Sequence, residues 1–473
     1  MFLKRKIKNI MKKSYSRRNG YLETLQKGLV VLGTFENKFS LGKGSREERI
    51  ELLKNEIQNA DAILVSAGSG LSTSAGFTYS GERFEKYFFD FIKEYGIIDM
   101  YSGGFYPFPN DEIHWAWWAR HIYFNRYVKA PKPVYNELFS LLKDKDYFVI
   151  TTNVDHQFQK AGFDKKRLFY TQGDYGLFQS VNPQIQKTYD NEEWVMKAME
   201  AQGFVKDENE VFSIPMNGEI LMRIPAELIP KCPDDGSDMT TNLRADSSFV
   251  EDEGWHKASE EYSNYLENHK NMHILFLELG VGRNTPVIVK YSFWYMTMEN
   301  KKAVYACINY REAFCPIKLE DRSICLDGDI GEVLGEIYKK IDTVGSLSAA
   351  LAGLHPMQYD SKAPAQVMAA LGHYKNKHSV AVGASYYFND RFMMSTGIAL
   401  SGEKRPKTMA NIGFTLKLGK GSGVTYNETP QYVVQNEVKR LTLENQELKS
   451  KINNQDDRIK AQDNKINEQD EKI

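Results

Sequence analysis

Three stretches of this 473-residue chain place glycine, hydroxyl or carboxamide residues after a short apolar run. Ile63-Leu64-Val65 precedes Ser66-Ala67-Gly68-Ser69-Gly70, and Tyr147-Phe148-Val149-Ile150 precedes Thr151-Thr152-Asn153-Val154-Asp155. Ile274-Leu275-Phe276-Leu277 precedes Gly280-Val281-Gly282-Arg283-Asn284, and a fourth run, Ala303-Val304-Tyr305-Ala306-Cys307-Ile308, ends at Asn309. A glycine-rich turn after a buried strand lets backbone N–H groups approach a pyrophosphate, and the next helix N-terminus adds partial positive charge. Either turn alone is equally well explained as a tight structural bend. Two such turns, together with Asn153 and Asp155, point to a dinucleotide site.

In a parallel sheet the ends of all four runs lie on the carboxyl edge, where ligands bind. From about Arg46 to Ile341 helical patterns alternate with short β-rich runs, which predicts an α/β domain: a Rossmann-like parallel sheet with a small second lobe. From Gly345 to about Gly421 the chain is rich in Gly, Ala and Ser and alternates strictly; after Gly423 no glycine follows and the periodicity becomes helical. The expected organisation is a basic, partly disordered leader over 1–45, a catalytic domain over 46–341, a β segment over 345–422 and a coiled coil over 431–473.

With 61 Lys+Arg against 62 Asp+Glu, the net charge of −1 argues against a dedicated nucleic-acid binder. Four cysteines (Cys232, Cys307, Cys315 and Cys325) are too few for a disulfide framework in so long a chain. No apolar run approaches the roughly 20 residues of a membrane-spanning helix. The first eighteen residues carry Lys4, Arg5, Lys6, Lys8, Lys12, Lys13, Arg17 and Arg18, but no adequate apolar segment follows to complete a signal peptide.

Residues 46–341 resemble a sirtuin. Ser66-Ala67-Gly68 looks like the family's NAD loop, departing at its first glycine, and Thr151-Thr152-Asn153-Val154-Asp155 matches its Thr-Gln-Asn-x-Asp motif with Thr152 in the glutamine position. Gly280-Val281-Gly282-Arg283-Asn284 resembles the ribose-binding turn, and Ile308-Asn309 the adenosine contact. Phe105-Tyr106-Pro107-Phe108, the segment from Trp115 to Arg126 and Tyr170-Thr171-Gln172-Gly173-Asp174-Tyr175-Gly176 are typical of the bacterial class M branch, encoded beside macrodomain proteins. The resemblance implies NAD as cofactor, Asn153 fixing the nicotinamide ribose and Asp155 supporting its loop. Ser66, Ala67, Gly68 and Arg83 would line the nicotinamide and phosphate region, with Gly280, Gly282, Arg283, Asn284 and Asn309 completing the cofactor contacts.

Two departures shape the expected chemistry. Sirtuin deacylases place a histidine before glycine where this chain reads Gln172-Gly173. A neutral imidazole can take a proton from a ribose hydroxyl; a carboxamide cannot, although it can orient a ribose or an acceptor. Deacylation should therefore be weak, while direct ADP-ribosyl transfer remains open. The class M resemblance implies that transfer, with a lipoylated carrier protein as acceptor and a macrodomain ADP-ribosyl hydrolase as functional partner. The second departure is at the family's zinc positions, where Ser180, Gln184, Cys232 and Asp235 offer one thiol in four, so zinc is not expected. His156 reads as structural or surface, His114 and His121 as packing or acceptor-cleft residues, and Trp115, Trp117 and Trp118 as core.

The β segment carries four strands of roughly nine residues, the length of a tilted membrane strand. Val380, Val382, Ala384, Tyr386 and Phe388 alternate with Ala381, Gly383, Ser385 and Tyr387, and the runs over 367–375, 392–400 and 410–418 complete the set. Four strands cannot close a barrel, but three chains supplying twelve could. With the helical lead from Ser346 to Pro356, this block resembles the membrane anchor of YadA-like trimeric autotransporter adhesins. In the tail, Val438, Ile452, Ile459, Ile466 and Ile473 fall at a, and Val434, Leu441 and Leu448 at d, with Asn445 at a and Gln455, Gln462 and Gln469 at d setting register. A homotrimer is implied.

The two resemblances imply different compartments, cytoplasm for an NAD-consuming enzyme and outer membrane for the anchor, as if two gene products were joined. The leading expectation is a protein ADP-ribosyltransferase. An outer-membrane trimeric anchor with a vestigial sirtuin domain, a weak deacylase and an inactive NAD-binding module are the alternatives.

Overall fold

The computed structural model describes residues 19–31, 38–216, 218–282, 286–403, 406–418 and 431–470. Strands of three or more residues are numbered in chain order. The central sheet holds β1 (Ala62–Ala67), β2 (Tyr147–Thr151), β3 (Leu168–Tyr170), β7 (Ile274–Leu279), β8 (Val304–Asn309) and β9 (Ser323–Asp327). Their order is β9-β8-β7-β1-β2-β3, and every neighbouring pair is parallel. The four apolar runs read from sequence are β1, β2, β7 and β8. The two edge strands carry weaker patterns and were not anticipated.

Both faces of this sheet are covered, which is why its inner strands are apolar without alternation. Ile63, Val65, Val149, Leu275 and Leu277 face a core completed by the helices Arg46–Asn59, Val134–Leu142 and Ile330–Ala352. Leu64, Phe148, Phe276 and Tyr305 face the other way, onto the helices Gly20–Val31, Glu253–Asn268 and Lys290–Glu299. Ser45 caps the Arg46–Asn59 helix in a reciprocal box with Glu48.

The Gly20–Val31 helix falls within the stretch read as a leader. Tyr21, Leu25 and Val31 are buried, and the Thr24 hydroxyl donates to the Tyr262 hydroxyl at 3.1 Å. Phe39–Ser40 pairs with Cys315–Pro316. Packing of the α/β domain thus begins before Arg46, and the basic character of the first eighteen residues hid the amphipathic turns behind it.

A smaller lobe carries an antiparallel sheet of β4 (Gly173–Ser180), β5 (Thr188–Asp190) and β6 (Met239–Leu243), with β4 central. Its core is aromatic: Phe88, Phe91, Phe124 and Trp117 are sealed from solvent, and Trp115 is buried beside them. Buried Arg120 is held bidentate by Asp90 at 2.7 and 2.8 Å and donates to Gln202 at 2.7 Å. At the positions compared with zinc ligands, Ser180 and Ser237 share a hydroxyl hydrogen bond of 2.7 Å, the Asn182 amide donates to Asp235, and the Cys232 thiol reaches the Tyr189 hydroxyl. Among the described residues no group of three or more His, Cys, Asp or Glu is arranged to hold a metal ion.

The C-terminal sheet runs in sequence order, β10 (Ala365–Tyr374), β11 (Lys377–Asn389), β12 (Phe392–Ser401) and β13 (Thr408–Leu416). Its alternation is the expected one. Val380, Val382, Tyr386 and Phe388 are exposed, whereas Ala381 and Ser385 between them are buried. The lead into this segment is continuous with the last helix of the α/β domain, as one helix of 23 residues, Ile330–Ala352. Ser346 near its end meets Ser379 of β11 through their hydroxyls at 2.7 Å. The tail forms a 40-residue helix, Gln431–Asp470, with Val438, Leu441, Leu448, Ile452 and Ile459 exposed. Among the described residues no helix is long and apolar enough to cross a membrane.

The glycine turns after β1 and β7 touch through their backbones. A Cβ on Gly280, whose φ is +64°, would stand 2.6 Å from Gly70 backbone atoms. Gly280→Ala should cost about 2–4 kcal/mol, combining left-handed strain with overpacking. Gly96→Ala, left-handed at φ +66° with open space around it, should cost only about 1 kcal/mol. Urea denaturation of the two variants separates the terms; equal losses would mean that the turn contact carries no energy.

Candidate functional site

The strand order reverses between β1 and β7. In open α/β sheets the crevice outside the carboxyl ends at such a point is where ligands bind. Here it is built from main chain. Gly68 N–H donates to the Leu279 carbonyl at 3.0 Å, Gly70 N–H to the Gly280 carbonyl at 2.9 Å, and Gly280 N–H to the Ile308 carbonyl at 3.0 Å. Asn309, at the end of β8, donates its amide to the Val281 carbonyl at 3.0 Å. Gly282 has open space where a Cβ would stand, whereas Gly68 and Gly70 are closed by Gly280 and Val281. Ser66 and Ala67 are buried within β1, upstream of the turn. Arg283 and Asn284 lie outside the described residues.

Beside this crevice, after β2, sits a buried polar cluster. The Asn153 amide donates to the Gly68 carbonyl and the Ser72 hydroxyl, each at 3.0 Å, and to the Tyr135 hydroxyl at 3.3 Å. The Ser72 hydroxyl donates to Asp155, which also accepts the Gln157 N–H at 3.2 Å. Ser72 and Tyr135 share a further bond of 2.9 Å. Burial raises the Asp155 carboxyl above its ordinary range, and the Ser72 and Gln157 hydrogen bonds offset part of that. The structure therefore joins Asn153 to Asp155 through Ser72. Neither Ser72 nor Tyr135 was read as functional from sequence. Ser72 lies only two residues past Gly70, but nothing local distinguishes Tyr135.

Gln172 follows β3, one residue after Thr171, whose N–H and hydroxyl both donate to the Thr151 carbonyl at 3.0 Å. Its amide donates to the Thr171 hydroxyl at 3.2 Å, and its carbonyl accepts the Arg244 N–H. Arg83 is engaged elsewhere. It donates to the carbonyls of Thr78 and Phe124 and to the Asn125 side chain, and it lies over the Phe77 ring. These bonds tie the segment after the first turn to the helical lobe and do not include the Asn153 cluster.

His156, next to Asp155, has a left-handed backbone with φ +61°. Its Nδ1 is 2.9 Å from Asp174, whose other oxygen accepts from Arg126 Nε at 2.7 Å. Burial alone would raise the Asp174 carboxyl, but the His156 hydrogen bond and the Arg126 charge hold it below its ordinary range. His121 is deeper. Its Nε2 is 2.9 Å from the Tyr175 hydroxyl, which is 2.8 Å from that of Tyr79, and its Nδ1 has no hydrogen-bond partner. Burial, reinforced by the Arg83 charge, pushes the imidazole down to about 3.

A doubly covered parallel sheet with paired glycine turns and a buried carboxamide–carboxylate set at its switch point defines a doubly wound α/β protein with its crevice at the carboxyl ends of β1 and β7. The chain is 35% identical over 299 residues to a protein ADP-ribosyltransferase of Staphylococcus aureus strain Mu50, an alignment spanning 63% of this chain and 90% of that protein. It is 30% identical over 298 residues to a protein of Fusarium oxysporum f. sp. cubense named "Probable bifunctional ADP-ribose hydrolase/ADP-ribosyltransferase", covering 60% of this chain and about half (47%) of that one. Among solved structures, Sir2 bound to an acetylated peptide aligns at 14% identity with a TM-score of 0.39, over 62% of this chain and 98% of that one. Residues 357–416 match the YadA-like membrane anchor domain. The chain belongs to the family of the staphylococcal ADP-ribosyltransferase, its sirtuin-like domain joined here to a YadA-like anchor.

The neutral burial of His121 gives a pH prediction. Its folded value lies below the unfolded value of about 6.5, so its contribution is complete above that pH and is lost as pH falls toward 3. Between pH 7 and 5 the wild-type protein should lose about 2 kcal/mol more stability than His121→Gln. Urea unfolding at both pH values checks this, and parallel losses would show that His121 takes up its proton in the folded state.

Proposed function

We propose that this chain is an NAD-dependent protein ADP-ribosyltransferase of sirtuin type, acting on a lipoylated carrier protein and paired functionally with a macrodomain ADP-ribosyl hydrolase. The observation that carries the reading is the buried Asn153–Ser72–Asp155 cluster beside the Gly68/Gly280 crevice, with Gln172 in place of the histidine of deacylases. NAD, when bound, supplies the ADP-ribosyl group and nicotinamide as leaving group. The open space at Gly282 leaves room for a close-lying pyrophosphate. Asn153 is pre-oriented by three hydrogen bonds to present its carboxamide to the ribose, and Asp155, through Ser72, holds it there. Gln172 orients a hydroxyl or the acceptor but takes no proton at neutral pH, which disfavours deacylation.

The test uses the full chain with NAD and a lipoylated carrier protein. Asn153→Ala and Gln172→Ala should each abolish most transfer, by about 100-fold or more. Unchanged transfer in either variant would overturn the assignment, and rapid turnover of an acetylated peptide by the wild-type protein would favour the deacylase alternative.

The exposed apolar face of β10–β13, with the anchor match over 357–416, supports a second role as an outer-membrane trimeric anchor. Four strands leave two open edges, which hydrocarbon does not tolerate, so three chains closing a twelve-stranded barrel is the arrangement we favour. Heat-resistant trimers on a denaturing gel, from the outer-membrane fraction of native cells, are the expected result. A full-length chain recovered only in the cytosol as monomer would exclude it.

A further inference from the structure

Resting on the ADP-ribosyltransferase reading, we propose that His156 is a catalytic residue: its Nε2 takes the proton of the acceptor group as that group bonds to the ribose. The backbone gives the first argument. At φ +61° the backbone is left-handed, a conformation that glycine adopts without strain and a histidine does not. Here the chain keeps an imidazole immediately after Asp155, where a glycine would fold more easily.

The second argument is the hydrogen bonding. Asp174 holds Nδ1 at 2.9 Å while its other oxygen accepts Arg126 Nε and Gly176 N–H, each at 2.7 Å. An ionised carboxylate there fixes the proton on Nδ1 and leaves the Nε2 lone pair as the free acceptor. No hydrogen bond to Nε2 occurs among the described residues, and the side chain is 24% exposed. A base whose far nitrogen is oriented by a carboxylate is the arrangement that activates a nucleophile. The surroundings fit as well. The imidazole lies nearly parallel to the Tyr170 ring, at 6.2 Å between centroids, two residues before Gln172. The groups facing it are Asp174, Arg126 and Tyr170, with Asp155 and Lys160 on its own segment; Arg126 shares Asp174.

The step balances. The acceptor's lone pair forms the bond to ribose C1′, the C1′–nicotinamide bond breaks, and its electron pair neutralises the pyridinium so that nicotinamide leaves uncharged. The acceptor's proton moves to Nε2 and from there to water. Gln172 cannot perform this transfer, so the only proton acceptor that the Asn153-Val154-Asp155-His156 segment offers beyond the already buried Asp155 is the imidazole.

The experiment uses the full chain, NAD and a lipoylated carrier protein. His156→Gly relieves the backbone strain, and His156→Asn tolerates the left-handed backbone while keeping a donor toward Asp174. In both, kcat should fall about 100-fold with KM for NAD nearly unchanged. The wild-type rise of kcat/KM with pH should disappear in both, and added imidazole should restore His156→Gly about tenfold or more but leave His156→Asn unrestored. Nitrogen-15 spectra of histidine-labelled protein should show the Nδ1–H tautomer at His156, lost in Asp174→Asn. A kcat within about threefold of wild type in both variants, or a loss in His156→Gly that imidazole does not repair, overturns the assignment while leaving the transferase reading intact. A wild-type chain that transfers nothing overturns both.

Discussion

Backbone-to-backbone contact between two glycine turns is the constraint on which this site depends. Gly68 and Gly70 close on Gly280 and Val281 so tightly that a Cβ fits at none of the three glycines. That approach brings β1 and β7 into register at their carboxyl ends, and the Gly68 carbonyl it positions is one of the groups holding Asn153. The hydroxyls of Ser72 and Tyr135 then complete a cluster that holds the Asn153 amide and the Asp155 carboxylate together. A buried carboxylate such as Asp155 is tolerable only in that company.

How much of this was legible in the sequence depended on whether the signal was local. The strands β1, β2, β7 and β8 announced themselves as apolar runs stopped by small or polar residues, and those stops are the edge of the site. Ser72 was overlooked because a serine two residues beyond a glycine turn is unremarkable until Asp155, 83 positions away, is seen to accept from it. The pairing of His156 with Asp174 is of the same kind, a contact across 18 residues that no spacing rule predicts. Arg83, placed near the phosphates by the resemblance, is bonded here to the carbonyls of Thr78 and Phe124, partners that no local spacing predicts. The Gly20–Val31 helix was missed because the basic run before it dominated the composition.

The two parts of the chain use side-chain alternation to opposite ends. In β1 and β7 both faces are buried, each against its own layer of helices. In β11 the bulky residues Val380, Val382, Tyr386 and Phe388 point outward, and the small ones lie inside. Water explains the first pattern. The second puts the bulky apolar side chains on the exposed face, and it was legible from sequence because a strict period of two survives even when the strand's neighbours are unknown.

The sheet order also has a meaning in time. Asp61 and His273, at the entries to β1 and β7, bond to each other across 212 positions. A ribosome adding about 5–20 residues per second needs roughly 10–40 s to cover that distance. For all of that interval the nascent β1 can pair with β2 on one side while its other edge stays open, and the Gly20–Val31 helix waits for partners that have not yet been made. The crevice between the two glycine turns is thus absent from every shorter nascent chain, and synthesis that stalls before β7 leaves a half-sheet with a bare parallel edge for the cell's chaperones to shield.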